Sequence, residues 1–448
     1  MTASLTHPTT THATSPGARG LRLGGLYGPA VFGVTAAAVA LPEAAAALGV
    51  TPAAAVWVLT AHALALGVGT ALAGRLSDAL GLRTTLLTGA LLLLLGTAVC
   101  LSASNLAALV AGRLILAAGS GTMTCGALSL AASTEPAERP GVLARLGAAM
   151  SAFSATATLA GGVVTAATSW RLTMVLPALS LLSLPLCLRM AGPAAAPGKR
   201  VDAGGAALLA TAATALVVLI QSPALGLSTA SGVAAGAVLV AATAALIARI
   251  RHLPDGFVPR TLVTDRVFVQ AAVIGAGVYG GLFAVMFAAP LVLVSSHGWS
   301  VLAVGVALLP GAVLGAIASR AAGPLANTGR GHGFLAFVAA TFSLTLVAAS
   351  VTGGEPVALI AAASLGFAAF AVAQVVLTTQ MSARIPATAR GGALGLLNLA
   401  FFIGGAVGSA AAGALSPSMG PAGAMAVVAV LPLATAVLAL RGRARGTS

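Results

Sequence analysis

Gly74-Arg75-Leu76-Ser77-Asp78-Ala79-Leu80-Gly81-Leu82-Arg83 lies between two long apolar runs and sets an acid and two arginines together at that boundary. Its two glycines permit a tight turn, Asp78 can accept from a helix N-terminus or an arginine, and Arg75 and Arg83 can hold the segment on one face of a bilayer. Such a stretch is either an ordinary charged turn between membrane helices or a hinge that latches and releases. Its surroundings decide the fold.

Of the 448 residues 59% are hydrophobic and only 7% charged, against roughly 25% charged in a soluble globular chain. The chain is therefore expected to be an all-α polytopic membrane protein. A net charge of +14 would suggest nucleic acid in a soluble protein, but the arginines sit singly between apolar segments with no aromatic-interleaved basic run, so no nucleic-acid partner is expected. Cys100, Cys125 and Cys187 all fall inside apolar segments without metal-ligand spacing, so they read as packing residues and no metal is expected. No G-x-x-x-x-G-K-[ST] loop is present, so no nucleotide cofactor, ATP-driven transport or enzymatic activity is anticipated.

Spanning ~30 Å of hydrocarbon takes about 20 apolar residues. Fourteen such segments are predicted, in the order six, two, six. A disordered cytoplasmic tail over 1–23 precedes a six-helix bundle at 24–191. A proline-containing cytoplasmic linker at 192–203 leads to two additional central helices at 204–250, and a polar connector at 251–265 to a second six-helix bundle at 266–440. A cytoplasmic tail at 441–448 ends the chain. With both termini cytoplasmic, every Lys and Arg except Arg113 and Arg171 falls in or beside a cytoplasmic segment, as the positive-inside rule demands of a multi-pass protein of the inner (plasma) membrane. Gly323-Pro-Leu-Ala-Asn327-Thr-Gly-Arg330 repeats the Gly-x-Leu-x-Asp/Asn pattern after the second helix of the last block, which suggests two related bundles.

The opening stretch resembles the G-x-L-a-D-r-x-G-r-[RK] signature of the major facilitator superfamily at Gly74, Leu76, Asp78, Gly81 and Arg83. Ala40-Leu41-Pro42 followed by Trp57-Val-Leu-Thr-Ala61-His62-Ala-Leu-Ala65 is similar to the fourteen-helix drug:proton antiporter branch, with His62 where tyrosine is usual. Trp170-Arg171, Leu309-Pro310-Gly311 and Asn398 with Gly404, Gly405 and Gly408 extend the likeness over nearly the whole chain from about residue 30. The resemblance implies alternating access between two bundles, with Gly74, Asp78, Gly81 and Arg83 as a conformational latch and the two central helices outside the transport core. It also implies a monomer in a lipid bilayer.

Departures from that branch bear on mechanism. Gly33 and Ala38 stand where it usually has Asp and Asn in helix 1, Ala157-Thr158 replace a Gly-Pro, Leu116 and Ala117 replace Gln and Gly, and Phe401-Phe402 replace a polar pair. None of the eight acidic residues lies mid-span. The titratable group left in the spans is His62, whose unperturbed pKa near ~6.5 suits proton exchange. It lies at a nominal depth similar to that of Arg113, whose insertion alone costs ~2.5–3.5 kcal/mol. His62 reads either as a proton carrier or as a substrate-facing or packing residue. Arg113 reads as a functional cation or as one paired to carbonyls. Thr35, Trp57, Tyr279, Gln374 and Asn398 complete the candidate substrate or proton pathway.

The expected function is secondary active transport, specifically proton-coupled efflux of a hydrophobic or amphipathic small molecule such as a drug or secondary metabolite. An uncoupled facilitator and a non-transporting membrane sensor or degenerate relative are the alternatives.

Overall fold

The computed structural model describes residues 16–135, 138–191, 202–222, 228–327 and 330–445, which form helices joined by short turns with no strand among them. The first half runs α1 (Pro16–Tyr27), a 3-10 segment Gly28–Gly33, α2 (Thr35–Leu48), α3 (Pro52–Ala55), α4 (Trp57–Leu80), α5 (Leu82–Ser102), α6 (Leu106–Ala132) and α7 (Arg139–Ala167). It closes with α8 (Trp170–Met174), a 3-10 segment Leu176–Leu179 and α9 (Ser180–Leu188). The middle is α10 (Ala203–Gln221), α11 (Thr229–His252) and the short α12 (Arg260–Thr264). The second half comprises α13 (Arg266–Ser295), α14 (Val301–Ala307), α15 (Leu309–Asn327), α16 (Gly331–Val351), α17 (Pro356–Arg384), α18 (Ala387–Val428) and α19 (Val430–Arg445).

Polar residues start the helices where the first N–H groups need acceptors. Asn105 accepts from Ala108 N–H at 2.9 Å, Ser300 from Ala303 N–H at 3.1 Å and Glu355 from Val357 N–H at 2.9 Å. Among the described residues eleven helices are long and apolar enough to cross a bilayer, or twelve if the bent pair Arg145–Ser154 and Thr156–Ala167 is one span. Two features separate this from the fourteen segments of the sequence. Gly392–Arg441 passes as one helix of 50 residues, although Gly420, between Pro417 and Pro421, takes φ +74° and kinks it. The segment 170–188 is cut into short helices around Pro177.

Two expectations need correction. The tail expected to be disordered as far as residue 23 is helical from Pro16, because Leu23 and Leu26 are buried and Arg19 pairs with Glu138 at 2.5 Å; residues 1–15 lie outside the described residues. The opening stretch is not a two-glycine turn. Helix α4 continues through Gly74 to Leu80, and the chain reverses into α5 over Gly81 alone, at φ +82°, a conformation that glycine adopts without penalty. The side chains of Asp78 and of its counterpart Asn327 lie outside the described residues, and Arg83 is exposed.

Helix α4 packs on α6 and α18, α13 on α18, α15 on α17, and α7 on α14. Glycine sets the closest of these contacts: Gly404 and Gly408 lie directly on the backbone of Ala276 and Gly280, leaving no room for a Cβ. Helix α10 packs on α18 and α4, whereas α11 touches α10 and exposes Val233 and Val240.

The α10–α11 hairpin is tied to the opening stretch through polar atoms. Arg75 Nη2 donates to the carbonyls of Gly256 and Phe257 at 3.0 and 3.3 Å. Phe257, 2% exposed, donates its N–H to Asp202 Oδ2 at 2.9 Å, while Asp202 Oδ1 accepts from Gly205 N–H at 2.9 Å and Arg249 Nε at 2.7 Å. The central helices are thus braced against the loop region of α4. Burial pushes the Asp202 carboxyl up, but its donors Arg249, Phe257 and Gly205 together hold it below the ordinary aspartate range. A depressed native pKa contributes stability above the unfolded value that is lost as pH falls through the native one. Asp202→Asn is therefore expected to lower the Tm of the solubilised protein at neutral pH and to narrow its gap to wild type as pH drops below about 4; a gap that stays constant with pH would contradict this.

Candidate functional site

A cavity of about 240 Å³ lies between the two halves. The first half contributes Tyr27, Val31, Val34, Thr35, Leu66, Thr124, Met150 and Ser154, and the second Tyr279, Phe283, Ser319, Phe367, Phe370, Gln374, Asn398 and Phe402. Its second-half wall is aromatic. The Tyr279 ring centroid lies 4.7 Å from Phe370, 5.1 Å from Phe401, 5.5 Å from Phe402 and 6.0 Å from Phe283. One polar thread crosses this wall: Tyr279 Oη donates to Gln374 Oε1 at 2.8 Å, Gln374 Nε2 to Asn398 Oδ1 at 3.3 Å, and Asn398 Nδ2 to the Leu394 carbonyl at 3.0 Å.

The first-half wall is built on a break in the first span. Pro29 and the glycines at 28 and 33 replace α-helix by a 3-10 segment, and the α2 ladder starts only with Ala38 N–H to Val34 O at 2.9 Å. The Gly33 carbonyl stands outside that ladder and must find another donor. Arg113, fully buried on α6, supplies it through Nη2; Nη1 donates to the carbonyl of Met174, the last residue of α8, at 2.7 Å, and Nε approaches Val58 O at 3.4 Å. One guanidinium thereby holds the breaks of two spans and the start of α4. His62, also fully buried, sets its ring edge against the bare Cα of Gly33, where a Cβ would collide with it, and both ring nitrogens lack a partner among the described residues.

At the end of the bundle where α4 begins the halves touch. Thr60 and Ser409 share a hydrogen bond of 2.8 Å, Val56 fills the space over Gly413, and Gly305 and Gly162 bring α14 and α7 into backbone contact beside Thr158 and Val301.

Of the residues singled out in the sequence, Thr35, Tyr279, Gln374 and Asn398 line the cavity. His62 and Arg113 meet at Gly33, behind that wall, and Trp57 starts α4. Arg113 makes the carbonyl pairing that was one of its two readings. The sequence reading missed Tyr27, Thr124, Ser154 and Phe370, and the role of Arg75; the Pro29–Gly33 spacing was the available signal for the broken helix.

Two helical halves closing around a cavity in an apolar bundle define a membrane-transporter architecture. The model for the Major Facilitator Superfamily matches residues 23–409, and the chain belongs to that superfamily. An uncharacterised MFS-type transporter, EfpA of Mycobacterium tuberculosis, is 27% identical over 295 residues, covering 65% of this chain and 55% of the relative. The MFS-type transporter ungB of Aspergillus violaceofuscus is 28% identical over 269 residues, covering 57% and 49%. The chain thus matches about half the length of these relatives. The crystal structure of a D-xylose-proton symporter shares the fold, with a TM-score of 0.63, 15% identity and coverage of 94% of this chain and 96% of that one.

Removing the guanidinium should unpick the broken helices. Arg113→Met is expected to lose roughly 1–3 kcal/mol for each buried carbonyl left unpaired, seen as a lower Tm in detergent, with Arg113→Lys intermediate; a wild-type Tm for the Met variant would refute the tie. Gly33→Ala should destabilise by about 1–3 kcal/mol through overpacking on His62, and adding His62→Ala should recover part of that loss in a double-mutant cycle.

Proposed function

We propose that this chain is a secondary active exporter of a hydrophobic or amphipathic small molecule, driven by the proton gradient and working by alternating access. The observation that carries the reading is the apolar cavity lined by both halves. A mostly apolar lining with a few placed polar groups suits such a solute, whereas a sugar would need many more fixed donors and acceptors.

The reading includes fourteen crossings, counting 170–188 as one broken span and dividing 392–441 at Gly420, and the six-two-six division already given. It also includes a monomer in the plasma membrane with both termini cytoplasmic, closed at the end where α4 begins, which then faces outward, and with the cavity reached from the cytoplasm. Proton coupling is assigned to His62 and Arg113. The broken segment presents Val31, Val34 and Thr35 to the cavity on one side and Gly33 to His62 and Arg113 on the other. Protonating His62 would set a second cation beside Arg113 and strain its hold on Gly33, which a shift of the segment would relieve. The absence of a carboxylate at mid-span favours, as the second reading, an uncoupled facilitator with the same cavity.

Proteoliposomes loaded with a fluorescent hydrophobic dye separate the two. Efflux stimulated by an imposed pH gradient supports the first and efflux indifferent to it the second; His62→Gln, which cannot titrate, should abolish the stimulation while efflux down the dye's own gradient continues. For the conformation, Ser154→Cys in a chain with Cys100, Cys125 and Cys187 replaced by Ala should react with a membrane-impermeant maleimide in inside-out vesicles and not in right-side-out ones. The opposite pattern would reverse the orientation.

A further inference from the structure

The same cavity carries a narrower statement about its substrate, which rests on the transporter reading. Its ionisable lining groups are two phenols, Tyr27 and Tyr279; among the described residues no Asp, Glu, Lys, Arg or His lines it. The fully buried Arg113 spends Nε, Nη1 and Nη2 on main-chain carbonyls behind the wall. An organic cation entering this space would shed water and meet no counter-charge, a heavy desolvation penalty.

Aromatic rings can substitute for a carboxylate when their faces surround a cation. Here they face one another instead. Tyr279 is 2% exposed and has four phenylalanine rings around it, Phe402 edge-on at 88° and the others tilted between 36° and 43°. The wall therefore offers flat apolar surface and ring edges rather than a cage.

The polar thread through that wall has a direction. Tyr279 donates to Gln374, Gln374 to Asn398, and Asn398 to the Leu394 carbonyl. A side-chain amide carries two N–H donors, and among the described residues Gln374 and Asn398 each spend one in this thread. Two N–H donors are left over at a cavity whose lining carries both amides. A ligand satisfies them with an acceptor such as a carbonyl or ether oxygen. Thr35 has turned its hydroxyl hydrogen away, to the Val31 carbonyl at 2.8 Å.

We infer that the substrate is an uncharged, ring-bearing apolar molecule that presents a hydrogen-bond acceptor to Gln374 and Asn398, and that organic cations are discriminated against. Three probes test this in proteoliposomes, each rate taken above that of protein-free vesicles. Nile red is neutral with a ring carbonyl, Nile blue is a cation on the same ring system, and diphenylhexatriene is neutral without an acceptor. Nile red is expected to move at least about tenfold faster than Nile blue. In Gln374→Leu the preference for Nile red over diphenylhexatriene should fall about fivefold to tenfold, mainly through a higher KM for Nile red. Asn398→Ala, at the other end of the amide pair, carries the same test if Gln374→Leu does not fold. Nile blue moving as fast as Nile red would overturn the charge statement, and an unchanged preference in both variants the acceptor statement, with the transporter reading intact in either case. If wild-type protein that is monodisperse and helical by circular dichroism moves none of the three, the transporter reading falls and this inference with it.

Discussion

A buried guanidinium with three carbonyl acceptors is the interaction on which the first half of this protein depends. A helix that breaks inside a membrane exposes carbonyls that neither water nor its own ladder can satisfy, and 3-10 segments interrupt this half at Gly28–Gly33 and at Leu176–Leu179. Arg113 reaches the loose carbonyls of both, at Gly33 and at Met174, from a third helix. Its planar fork suits that geometry better than a lysine's single ammonium would. The charge and the breaks are mutually necessary: without the breaks the cation would be stranded in hydrocarbon, and without the cation the breaks would be unpaired.

The second half solves a different problem with bulk and its absence. Where its helices must meet closely, as for α13 on α18, or α14 on α7 of the first half, a glycine lies at the closest approach, and dispersion between backbones supplies the adhesion that the hydrophobic effect cannot provide inside lipid. Where helices must stand apart, Tyr279, Phe283, Phe367, Phe370 and Phe402 prop them open and coat the space between. Small residues at the helix seams and large ones on the cavity wall thus shape one cavity rather than a uniform bundle.

Much of this was legible because membrane physics leaves plain marks in a chain. Runs of apolar residues announced the helices, arginine placement announced the loops, and the ordered motifs announced the family. Thr35, Tyr279, Gln374 and Asn398 stood out because a polar group on an apolar helix needs a reason, and all four line the cavity. The phenylalanines beside them did not stand out, since the same side chain serves a cavity wall, a helix seam or a lipid-facing surface. Partners that are backbone atoms were equally hidden. Neither the carbonyls held by Arg113 nor those held by Arg75 have a signature in residue identity, so the first remained one of two readings and the second was not foreseen. Helix count and helix ends were obscured by Gly420 and Pro177, where composition stays apolar while geometry changes.

The clasp between Arg75 and the Gly256–Phe257 carbonyls has a meaning for how the chain is assembled during synthesis. Everything in that clasp, from α4 through Asp202 and Arg249 to Phe257, is translated before α13 begins at Arg266. The first half and the central hairpin can therefore close upon each other in the bilayer while the second half is still on the ribosome, and α18 arrives later to find its seat on α4 already braced. A natural seam for dividing the chain into two co-expressed pieces accordingly lies just before Arg266 rather than at the proline-rich linker near residue 197, because a cut at that linker would part Arg75 from the Gly256 and Phe257 carbonyls it holds.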